Sequence, residues 1–99
     1  MIYLNIIKSY RDVVAVCDSC LLGKRFEEGK FQLDVKESFY KGEEVSKEEA
    51  IETMKSMSKE DATFNIAGEE AINAAINAGI ISKDAVGKIQ GVPFALILL

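Results

Sequence analysis

Val13-Val14-Ala15-Val16-Cys17 is the stretch that most restricts what this chain can become. Five successive apolar residues, three of them valine, leave no polar face for water. That is the pattern of a strand covered on both sides rather than one at a sheet edge. Ile2 to Ile7 alternates imperfectly and reads as the strand before it. The polar break Ser9-Tyr10-Arg11-Asp12 has hairpin length, so the two runs predict a β-hairpin.

The valine run ends in Cys17-Asp18-Ser19-Cys20. Asp18 is suited to cap a short helical turn over Ser19 to Leu22, with Gly23 placed for a positive φ at its end. Phe31-Gln32-Leu33-Asp34-Val35 alternates with period two and predicts a third strand, with Phe31, Leu33 and Val35 inward. Phe39-Tyr40-Lys41-Gly42 predicts a turn carrying two aromatics. Ser46-Lys47-Glu48-Glu49 is a capping-box pattern. Ala50, Ile51, Met54 and Met57 follow at helical spacing, so a helix is expected from about Lys47 to Met57. Ile72, Ala75 and Ile76 predict a second helix, starting between Asn65 and Glu69 and closed by Gly79. Ser82 can cap a further short turn, and Pro93-Phe94 to Leu98 reads as a last strand.

The order β, β, turn, β, helix, helix, β points to an α+β fold. The expected form is a mainly antiparallel sheet of about four strands with two helices packed on one face, a two-layer sandwich. Ninety-nine residues suit one domain spanning 1–99.

Charge narrows the partners. The formal net charge is −4, and residues 43–70 carry 9 acidic against 3 basic side chains. An acidic middle repels phosphate backbones, so broad DNA binding is not expected. The apolar end Phe94 to Leu99 is far shorter than the roughly 20 residues a spanning helix needs, and no membrane association is expected. Met1-Ile2-Tyr3 enters a strand-like run without a targeting pattern, and two cysteines three positions apart cannot staple a secreted domain. A cytoplasmic location is the expectation.

Several motifs are scattered over almost the whole length: Ala15-Val16-Cys17-Asp18, Leu21-Leu22-Gly23-Lys24, Phe26, Gly29, Leu33, Val35, Phe39-Tyr40-Lys41-Gly42, Asn65-Ile66-Ala67-Gly68-Glu69, Gly79 and Gly91-Val92-Pro93-Phe94-Ala95. In this order they resemble a family of small archaeal proteins catalogued as domain of unknown function 424. The resemblance implies an archaeal cytoplasmic protein of α/β character with no established activity. The family pattern has Cys17-Asp18 without requiring a cysteine at position 20, and often has His where this chain has Phe94. Both departures count against a metal or acid–base site shared by the family.

Cys17 and Cys20 form a C-x-x-C at a strand-to-turn junction, where a lowered thiol pKa would suit redox chemistry. Only a few residues separate Cys20 from Gly23, too few for the long helix of a thioredoxin-like protein. The competing reading has Cys17 as a small buried residue and Cys20 as a gap filler. With no His and no further Cys, a metal is not expected, short of one bridging two chains in a homodimer. Lys24 and Arg25 beside Gly23 can grip an anion, or pair locally with Glu27-Glu28. Tyr40, with Phe39, can stack on a base or plug the core. Asn65 and Glu69 flank Gly68 at an expected helix start, which suits an anion or a plain N-cap, without the pattern of a phosphate loop.

No nucleophile–base pair is present. The sequence therefore favours a non-enzymatic binding module without cofactor, recognising a protein or RNA partner in translation or RNA processing. Its candidate residues are Asp18, Lys24, Arg25, Tyr40, Asn65 and Glu69. A small thiol protein using Cys17 and Cys20, or a metal-bridged homodimer, is the alternative.

Overall fold

A computed structural model describes residues 1–98; Leu99, the end of the apolar run from Phe94, lies outside the described residues. The expected hairpin forms. Strand β1 (Ile2–Ile7) pairs antiparallel with β2 (Val13–Asp18) in the register Ile2↔Asp18 to Ile7↔Val13.

Two further strands follow the turn Ser19–Leu21: β3 (Arg25–Glu28) and β4 (Phe31–Asp34). Next come one turn of helix, α1 (Glu37–Tyr40), the short strand β5 (Glu43–Val45) and helix α2 (Lys47–Ser58). Strand β6 (Thr63–Ala67) leads into helix α3 (Glu69–Asn77). The tight turn Lys83–Ala85 connects to β7 (Gly87–Ile89) and β8 (Val92–Ile97).

The fold is α+β, but the expectation of about four mainly antiparallel strands under two helices in a two-layer sandwich is corrected: the described residues form three helices, and α1 and β4 pack on the face opposite α2 and α3. The main sheet has six strands in the order β5-β1-β2-β6-β8-β7, and β3 and β4 form a separate two-stranded sheet. The sheet is mixed because β6 returns parallel to β2, Val13↔Thr63 through Cys17↔Ala67. This explains the valine run: β2 lies between two strands, and Val14, Val16 and Cys17 are all fully buried.

Strand β6 is not among the expected strands, and Asn65 caps no helix; α3 starts at Glu69, the late end of the expected range. Asn65 pairs with Ala15 on one side and Leu96 on the other, in mid-strand, and the helix begins only after Gly68. The segment Arg25–Glu28 carries three charges and one half-buried Phe26, so no apolar alternation marks it as a strand. Its partner β4 does not join the main sheet, and Phe31 is exposed rather than inward, while Leu33 and Val35 are buried. Strands β5 and β7, three residues each, are too short for any period to register.

Alternate residues of the sheet feed two cores. Val14, Val16, Phe64 and Ile66 pack with Met54, Ala71 and Ile72 beneath α2 and α3. Ala15, Cys17 and Ala67 pack on the opposite face with Leu33 of β4, Val35 just after it and Tyr40 of α1. The capping box forms: the Glu49 amide donates to Ser46 Oγ at 3.2 Å, and the Ser46 amide to Glu49 Oε1 at 3.3 Å. Gly79 closes α3 with φ +77°. No described helix is long and apolar enough to cross a membrane.

Candidate functional site

Asp18, the last residue of β2, was expected to cap the turn that follows it. It makes no such bond. Its carboxylate instead reaches across to α3, where Oδ1 accepts from the Ala71 amide at 2.8 Å and Oδ2 from the Glu70 amide at 3.2 Å. The residue preceding α3 is Gly68, which has no side chain to serve as a cap. Asp18 performs that task from a different strand. Gly68 holds φ +106°, and a Cβ there would fall inside the Asp18 carboxyl. The glycine is therefore required twice, for its backbone and for the space it leaves.

Burial raises the Asp18 carboxyl above the ordinary range. The two amides of Ala71 and Glu70 pull it down, and the charges of Glu70 and Glu69 push it up again. A carboxylate committed to two amides has little left to offer a ligand.

Around this junction lie two adjoining hollows. The larger, of about 570 Å³, runs between α3 and the β7–β8 hairpin. Ile72, Ile76, Val86 and Pro93 line it with apolar surface, and Glu69, Asn73, Lys83 and Lys88 supply its polar groups. The smaller, of about 260 Å³, shares Glu69 and Pro93 and extends toward Asp18, Cys20 and Leu21. Together they make an open cleft along the first two turns of α3.

Of the residues singled out from the sequence, Asp18, Glu69 and Cys20 meet in this cleft. The others do not. Lys24 is exposed on the side of the β3–β4 sheet, where its carbonyl accepts from the Val35 amide. Arg25 bonds Glu27 at 2.9 Å and Gln32 at 2.8 Å and lines a separate shallow hollow with Glu27 and Gln90. Tyr40 is buried in the second core, edge-on to Phe39 with ring centroids 5.1 Å apart. Asn65 is half-buried in mid-strand.

The two thiols are unlike. Cys17 is fully buried, and burial, then the Asp18 charge, then Cys20 push its thiol up to about 12. Nucleophilic attack requires the thiolate, which such a thiol does not supply near neutrality. Cys20 is exposed and free. Among the described residues no group of three or more His, Cys, Asp or Glu side chains is placed to hold a metal ion.

Lys83, Lys88 and Val86 carry no functional expectation from the sequence, and Ile76 and Pro93 only structural ones. One signal was available: Lys83 and Lys88 are the only cations in residues 71–99. Nothing in the sequence says that the irregular segment carrying them folds back over α3.

The model of a family described as "Protein of unknown function (DUF424)" matches residues 7–99. Among solved structures, the chain is similar to an uncharacterized conserved protein from Methanopyrus kandleri, with a TM-score of 0.87 and 27% sequence identity over 97% of this chain and 89% of that one. No curated protein matches.

Proposed function

Given a chain that belongs to the family described as Protein of unknown function (DUF424), we propose that it is a binding module whose recognition surface is the cleft between α3 and the β7–β8 hairpin. One observation carries the reading. The cleft joins an apolar floor of Ile72, Ile76, Val86 and Pro93 to polar rims at Glu69, Lys83 and Lys88. An apolar floor supplies affinity and a sparse polar rim supplies orientation.

A protein partner fits better than RNA. The rim is of mixed sign and the molecule as a whole is acidic, whereas a phosphate backbone is held by massed cations. The buried Tyr40 offers no face on which a base can stack. The partner we propose is a component of a larger archaeal assembly, such as translation or RNA-processing machinery; the source of the similar protein supports only the archaeal setting.

Asn73 is exposed on α3 at the cleft wall, so Asn73→Trp fills the cleft without touching the core. Tagged wild-type and Asn73→Trp proteins are to be passed through native archaeal lysate, with and without nuclease. A stable protein partner retained by the wild type and lost by the variant is the expected result. A partner retained equally by both, or one released by nuclease, overturns the reading.

A further inference from the structure

Resting on the cleft as the recognition surface, we infer that its occupant is an extended protein segment in which aliphatic side chains are flanked by acidic residues. Residues 71–99 hold just two cations, and both, Lys83 and Lys88, line the cleft. Among the described residues neither forms an ion pair, whereas Arg25 and Lys8 do. Asp84, the one acidic residue of that segment, does not line the cleft.

Lys83 and Lys88 outnumber Glu69, the one acidic side chain among the described residues lining this hollow, so its rim is locally cationic on a molecule of net charge −4. Such a site attracts an acidic segment and repels a basic one, so it acts on specificity as well as on affinity. Its volume of about 570 Å³ lies within the range of sites that take a few side chains, and its open form suits a chain passing through rather than an enclosed small molecule. Lys88 stands in register with Pro93 on β8, and Lys83 sits in the turn after α3. The two cations come from separate elements, the turn Lys83–Ala85 and β7, so they offer contacts to separate residues of one extended segment.

The test uses two fluorescein-labelled nonapeptides, each with a central Leu-Leu pair, one flanked by glutamates and the other by lysines. Anisotropy at low salt should show binding of the glutamate peptide and not the lysine peptide. Lys83→Glu combined with Lys88→Glu should weaken the glutamate peptide by about five- to tenfold and admit the lysine peptide. Both lysines are exposed, so the double variant is expected to keep its fold, which a far-ultraviolet circular dichroism spectrum checks.

Equal binding of both peptides, or a glutamate peptide indifferent to the double reversal, overturns the inference. So does binding of neither peptide. If the lysate partner is still lost on Asn73→Trp in that case, the cleft stands and only the acidic preference falls; if it is retained, both fall.

Discussion

The carboxylate of Asp18, at the end of β2, accepts the backbone N–H of Ala71, in the first turn of α3, at 2.8 Å across 53 positions of sequence. With the Glu70 amide at 3.2 Å, it ties the centre of the sheet to the helix that forms one wall of the cleft. Asp18→Ala leaves two amides at the helix start without their acceptor and should cost about 1–3 kcal/mol. Asp18→Asn keeps one acceptor oxygen and should cost less. Urea unfolding of the two variants gives the comparison.

The raised carboxyl of Asp18 sets the sign of a pH dependence. The folded state holds the Asp18 proton more tightly than the unfolded chain does. The stability this contributes is therefore complete below the unfolded value, 3.8, and is lost as pH rises through the folded one. Relative to Asp18→Asn, the wild type should lose stability as pH rises above that value. Melting temperatures of both proteins across this rise test it; a difference independent of pH speaks against it.

Gly68 and Asp18 are coupled by space. Gly68→Ala drives a methyl group into the Asp18 carboxyl and holds an alanine at φ +106°, for an expected loss of about 2–4 kcal/mol. In an Asp18→Ala background the collision is gone and only the backbone strain remains. The double-mutant cycle should therefore be clearly non-additive.

The thiols should part under alkylation. Cys20 is exposed and should react in the folded protein, while Cys17, buried and raised to about 12, should react only as the protein unfolds. Mass spectrometry over time should find a single fast modification, absent in Cys20→Ser. Rapid labelling of Cys17 at neutral pH would reopen the reading of the pair as redox-active.

Features whose cause is local were legible in the sequence. The Ser46–Glu49 capping box, the positive φ of Gly79 and the buried strand Val13–Cys17 each follow from residues within a few positions of one another. Features whose cause is distant were not. Asn65 reads as a cap because nothing local reveals that it lies between Ala15 and Leu96. Arg25–Glu28 becomes a strand through pairing with Phe31–Asp34, not through a pattern of its own. Asp18 looked like the cap of its own turn because its true partner is supplied by a helix far along the chain. The cleft was half visible for the same reason. Glu69 and Asp18 drew attention as polar groups near glycines, but Lys83 and Lys88 acquire meaning only when the chain folds back over α3.

The central claim is that the cleft along α3 is where this protein recognises its partner. The most direct measurement is a 1H–15N correlation map of the labelled protein with and without the partner captured from lysate. The largest shifts are predicted at the amides of Ile72, Asn73, Ile76, Lys83, Val86 and Lys88. Shifts confined to the β3–β4 sheet or to the β5 edge, with these amides unmoved, would contradict it.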